Sequence, residues 1–244
     1  MSMDPSIVVA CISLIGVAGT VVWNTFQARS LARLTKEEVA QTKAEQAAAL
    51  VARYRDPLLE SAYDLQSRLF NALRNGGSFR WGADDRYFLP STIFLIGQFF
   101  GWVEILRRDM LYSDIAAVGQ AKELLTQVRK IQELFSSTTG PYFDARMIYR
   151  VEQRAIGEIM VDENASKRTT IGYATFTRRM NDPEFSRWFE GVKRGLDSPP
   201  RPNDPDRLRQ IQIVLIELVE YLDPGGERFP GNRTKLPGDR EIDK

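Results

Sequence analysis

From Pro5 to Ala28 the chain carries no charged residue. Within that stretch, residues 6–23 (SIVVACISLIGVAGTVVW) hold only Ser and Thr as polar members. Eighteen helical residues rise ~27 Å, close to the ~30 Å hydrocarbon core of a bilayer. Gly16, Ala18 and Gly19 suit a membrane helix, and Trp23 sits where an interfacial aromatic belongs. Two other readings compete. A cleaved signal peptide needs a basic leading region, and the first six residues supply none, only Asp4. A buried helix of a soluble core can have the same composition. The length fits a single-pass anchor best, with residues 6–23 in the lipid bilayer. Arg29, Arg33 and Lys36 follow the span and no Lys or Arg precedes it. The basic flank stays inside. The expected topology is therefore an inner-membrane protein, N-terminus outside and the remainder in the cytosol, with Cys11 in the bilayer. Two glycosylation-like triplets, at Asn164 and Asn232, matter only for the opposite topology.

Residues 25–55 contain neither Gly nor Pro and are rich in Ala, with six basic and three acidic side chains. They predict a helical stalk reaching ~46 Å if wholly helical. Leu31 and Leu34 could pair with a second stalk, but the pattern is not sustained at heptad spacing.

Beyond the stalk, Asp-Pro recurs. In Asp56-Pro57, Asp182-Pro183 and Asp204-Pro205 the Asp can cap a helix whose first residue is the Pro. Asp223-Pro224 follows an apolar run and stops it. Apolar residues recur at helical spacing over 57–74, 91–111, 115–135, 149–161, 183–196 and 205–222. Only 169–176 (TTIGYATF) has the composition of a strand, with no obvious partner. The expected fold class is all-α: an anchor (1–28), a stalk (29–55), a cytosolic bundle (56–223) packed around 91–111, and a disordered tail (224–244) of Pro, Gly and charge. Residues 87–103 are also uncharged. A second membrane segment is conceivable there, but Pro90, Gln98 and Glu104 favour a core helix. Gly97 and Gly101, four apart, would let a neighbouring helix approach closely.

Composition narrows the chemistry. There is no His and only one Cys. That removes His-based triads, Cys-His pairs, HExxH helices, intrachain disulfides and thiolate zinc sites. No Gly-rich phosphate loop is present. A net charge of +1 and the lack of a basic stripe with exposed aromatics argue against nucleic acid as a partner. Phe94, Phe99, Phe100, Trp102 and Trp188 read as core rather than as a stacking surface. Carboxylates at helical spacing, Glu60/Asp64 and Glu217/Glu220, are the least a metal-dependent hydrolase would need, yet Asp64 can as well pair with Arg68. No cofactor or metal is expected.

Polar side chains inside apolar helices are more informative. They are Gln66, Arg68, Gln98, Glu104, Arg107, Arg108, Glu152, Gln153, Arg154 and Glu158, with Gly157 permitting close packing. One reading is a pocket for an anionic ligand with Arg68, Arg107 and Arg154 as donors. The other is an ion-pair network that fixes helix register, for which Glu104–Arg108 and Arg154–Glu158 have the spacing. The segments YRDPLL (54–59), DLQSRL (64–69), GQFFGWVEILRR (97–108) and EQRAIGE (152–158) resemble an uncharacterised bacterial family of helical proteins. The resemblance covers roughly residues 50–223, implies a helical body and carries no activity. The leading expectation is thus a membrane-tethered helical module that binds a protein partner or itself. A ligand-sensing or signalling/defence effector with an Arg-rich pocket is the alternative, and a carboxylate-metal hydrolase the third.

Overall fold

A computed structural model describes residues 5–74, 79, 87–110, 116, 118–138, 147–198 and 207–236, with side chains from Trp23 onward apart from residues 25, 28 and 30. Every element among them is helical: α1 (Pro5–Arg74), α2 (Phe88–Met110), α3 (Gly119–Ser136), α4 (Arg150–Met160), α5 (Tyr173–Arg179), α6 (Pro183–Ser186), a 3-10 turn (Arg187–Phe189), α7 (Glu190–Asp197) and α8 (Arg207–Leu222). The chain divides into two compact units, Met1–Gln46 and Ala47–Lys244. The side chains of the expected anchor, residues 6–22, lie outside the described set.

The first unit is helical backbone from Pro5 onward. Its large apolar side chains Trp23, Phe26, Leu31, Leu34 and Val39 are all exposed.

In the second unit the core begins earlier than expected. Ala47, Val51 and Tyr54 are already buried, so the body starts inside the segment read as stalk. Pro57 does not open a new helix either; it lies within α1. A proline inside a helix forfeits one backbone bond. Here Leu58, Leu59, Ala62, Leu65 and Leu69, all fully buried, hold the helix through that point. By contrast Asp182 caps α6 as expected, its Oδ1 accepting the Glu184 N–H at 2.9 Å, with Pro183 at the first position. Asp204-Pro205 lies outside the described residues. Asp223 ends α8.

α2 packs most extensively against α4, and also against α5 and α7; α3 pairs with α8. α2 is long and apolar enough to cross a membrane, but most of it is covered by the body's own helices. Three glycines set the α2–α4 approach. A Cβ at Gly157 would stand 2.6 Å from the Phe100 carbonyl oxygen, one at Gly101 3.1 Å from Met160 Cβ, and one at Gly97 3.2 Å from Met160 Sδ. Phe94, Phe99 and Phe100 are buried, and Trp102 and Trp188 pack half-buried against the core. Of the strand-like segment, Thr170 forms an isolated antiparallel bridge to Val161, with backbone bonds at Thr169 and Ile171, and residues 173–176 start α5, whose Phe176 is boxed in by Phe94, Phe185 and Phe189.

The expectation of a disordered tail from 224 is corrected as far as Leu236. Residues 224–236 run back along the body. The Asp223 carboxylate accepts N–H groups of Glu227, Arg228 and Phe229, and Arg233 Nη2 at 2.6 Å. Phe229 packs on Tyr63 of α1, and two buried glutamines hold the backbone: Gln66 Nε2 donates to the Asn232 carbonyl, and Gln212 both donates to Thr234 and accepts from the Leu236 N–H. A segment without an apolar period of its own is ordered because polar groups on the neighbouring helices fit its backbone.

Candidate functional site

The ten polar side chains singled out in the sequence do not form one cluster. Glu104, Arg107 and Arg108 share one turn of α2. Glu104 is only 2% exposed, and its carboxylate accepts Nε and Nη2 of Arg107, both at 2.7 Å, and Nε of Arg108 at 2.9 Å. Burial pushes this carboxyl up; the hydrogen bonds and charge of Arg107 and Arg108 outweigh burial and hold it below the usual carboxylate range. Arg108 also reaches Glu163 at 2.8 Å. Bonds to Glu104, and for Arg108 first to Glu163, raise both guanidiniums further above their ordinary range.

Gln66 serves the tail, as described above. Arg68 stacks on Phe88, its Cζ 4.4 Å from the ring centroid, and lines a separate open cavity with Asp64 and Tyr87. Burial, and then the neighbouring Glu60, raise the Asp64 carboxyl above its ordinary value, against the pull of Arg68. Gln98 is half-buried on α2. Glu152 caps α4 by accepting the Tyr149 N–H at 2.9 Å. Gln153 is buried and donates to the carbonyls of Gln132 and Ile148, both at 2.9 Å. Glu158 is exposed, and its charge is felt by Arg107.

Arg154 leads to the arrangement of most chemical interest. Between α2, α3 and α4 lies a cavity of about 250 Å³. Its floor is aliphatic: Val103 and Leu106 from α2, Leu125 and Val128 from α3. Its walls carry Arg107, Arg129, Arg150 and Arg154, with Gln132. No carboxylate lines it among the described residues. Two of the three arginines proposed as donors, Arg107 and Arg154, therefore meet here, while Arg68 stands at the other cavity. Arg129 and Arg150 were not singled out. On their own helices they read as ordinary solvated charge; the one available signal was Arg150 and Arg154 four residues apart, a like-charge pair on one helix face.

A buried cation was also missed. Arg207, 1% exposed at the start of α8, donates to the carbonyls of Leu134, Phe135 (3.1 Å) and Ser137 (2.8 Å). It caps the end of α3, where a helix leaves carbonyls without intrahelical donors; the Phe135 carbonyl also accepts the Ile148 N–H at 2.8 Å.

Among the described residues, no group of three His, Cys, Asp or Glu side chains could hold a metal ion. No protein-family model, curated protein or solved structure matches the chain.

Proposed function

We propose that this chain is a membrane-tethered helical module. Residues 6–23 anchor it in the bilayer, and the helical body works in the cytosol, holding a protein partner or a second copy of the chain at the inner face of the membrane. The observation that carries this reading is the exposure of every large apolar side chain described on the N-terminal part of α1: Trp23, Phe26, Leu31, Leu34 and Val39. Trp23 and Phe26 end the uncharged segment, and the others follow it. Trp23 and Phe26 suit the interfacial belt, and Leu31, Leu34 and Val39 offer apolar area to a helix alongside. The lack of His, and a single Cys that falls within the uncharged segment, also favour binding over nucleophilic catalysis. Fractionation after lysis tests the anchor. The full-length chain is expected in the membrane pellet and to need detergent for release. A product that stays soluble without detergent refutes the reading.

A second reading, a ligand-sensing module, is favoured by one observation: Arg107 and Arg154 line the same aliphatic-floored cavity. Arg107 is held in place by its two hydrogen bonds to Glu104, as a preorganised donor should be.

A further inference from the structure

We infer that the cavity between α2, α3 and α4 binds a phosphate monoester carried on a compact apolar body, an inference that rests on the ligand-sensing reading. Charge comes first. Four guanidiniums line the cavity, and Glu104 compensates only Arg107. Among the described residues Arg129 and Arg154 make no ion pair, and the Arg150 guanidinium bonds only to the neutral amide oxygen of Gln132, at 3.3 Å. Arg150 and Arg154 stand four apart on α4, a spacing at which like charges repel. Three uncompensated cations match a guest of charge near −2. A phosphate monoester carries about −1.5 to −2 at neutral pH, a carboxylate only −1. Geometry agrees. Guanidinium forks bind phosphate oxygens in pairs, and the arginines come from three helices, so they approach the anion from different sides. With Nε and Nη2 fixed on Glu104, Arg107 keeps Nη1 for the guest.

The floor sets the rest of the molecule. Half-buried Leu125 and the edges of Val103, Leu106 and Val128, otherwise buried in the core, offer no hydrogen bond, so inorganic phosphate would leave this small apolar surface covered only by water. A volume of about 250 Å³ holds a phosphate and a small ring or short chain, and excludes a large guest. Soluble aryl or alkyl phosphates share this chemistry with the headgroup and glycerol of a phosphatidic acid.

The test uses the full-length chain in a neutral detergent, with ligand binding read by calorimetry and by thermal shift. Four probes separate the possibilities: phenyl phosphate, inorganic phosphate, short-chain phosphatidic acid and the matching phosphatidylcholine. Phenyl phosphate is expected to bind saturably, about tenfold or more tighter than inorganic phosphate because the ring covers apolar surface. Binding should weaken below pH ~6, where the monoester gains a proton. The double variant R129A/R154A, both exposed positions, should fold as the native chain and bind at least tenfold more weakly. Arg154→Lys, which keeps the charge and loses the fork, should fall between them, and Lys193→Ala on α7 should bind normally. Phosphatidic acid binding more tightly than phenyl phosphate, with phosphatidylcholine silent, assigns the guest to lipid; the reverse order assigns it to a soluble metabolite. Equal affinity for phenyl and inorganic phosphate, or native affinity in R129A/R154A, overturns the inference but not the ligand-sensing reading. Silence of all four probes overturns both.

Discussion

Gly157 is where a single methyl group tests the packing of the body. It sits on α4, buried against α2, and a Cβ there would lie 2.6 Å from the Phe100 carbonyl oxygen and 2.9 Å from Glu104 Cβ. Ordinary contact begins at 3.4 Å, so the helices must separate by about 0.8 Å. The obstacle is backbone, which has no rotamer to escape into. A gap of 0.5–1 Å forfeits roughly a quarter to a half of each contact's dispersion well, and overpacking of this kind costs about 1–3 kcal/mol. Against it stands the gain from replacing a mid-helix glycine by alanine, about 1 kcal/mol. The α2–α4 contact is the most extensive in the body, so the loss spreads over many pairs and places the cost at the upper end. Gly157→Ala is therefore expected to destabilise the body by about 1–2 kcal/mol net. Gly191 on α7, where a Cβ would meet nothing within 4 Å, is the control. Gly191→Ala should be neutral or stabilising by up to ~1 kcal/mol. Urea unfolding of the full-length chain in detergent, followed by near-UV circular dichroism, measures both. A Gly157→Ala variant as stable as the native chain would refute the close-approach argument.

Acid should destabilise the body in a defined window. Glu104 and Asp223 have folded-state affinities for protons below their ordinary values, so their contribution is present at neutral pH. It is lost as pH falls below the ordinary carboxylate range and through their lowered folded values. Asp64, raised by burial and Glu60, works the other way and is relieved by protonation. Unfolding midpoints measured from pH 7 to 3 should drop on the acid side, and Glu104→Gln should flatten part of that slope; an unchanged slope would remove Glu104 from the explanation. Replacing Arg207 by Met removes the buried donor shared by three carbonyls at the end of α3, of which Phe135 keeps the Ile148 N–H, and should cost about 2–4 kcal/mol. The same denaturation assay reads it, and a loss under 1 kcal/mol would mean water takes over the carbonyls.

Helix periodicity made most of the body legible, because residues such as Leu124, Val128 and Ile131 recur on one face and face the core. Periodicity does not register continuity. The Asp56-Pro57 pair has all the local marks of a helix start, and only the burial of side chains on both sides of it carries α1 through. Residues 183–196 repeat at helical spacing yet break into α6, a 3-10 turn and α7. The polar residues were harder still. Glu104 with Arg107 and Arg108 was readable, since all three lie within one turn. Arg129 and Arg150 were not, because what distinguishes them is that two different helices aim them at one cavity. Likewise Gln212 looks like any polar residue on α8 until the 234–236 backbone is laid beside it.

That last arrangement governs the order in which the molecule can be made. Gln66 on α1 is tied to Asn232, and Arg55 on α1 to the Leu222 carbonyl. These are contacts between the earliest body helix and the last described residues, separated by well over a hundred positions. Closing such a loop costs chain entropy that no local contact repays, and folding slows accordingly. The body cannot complete its fold until residue 236 has been synthesised. Until then the face of α1 that carries Tyr63 and Gln66 lacks the segment that covers it, and the incomplete body is exposed to wrong association.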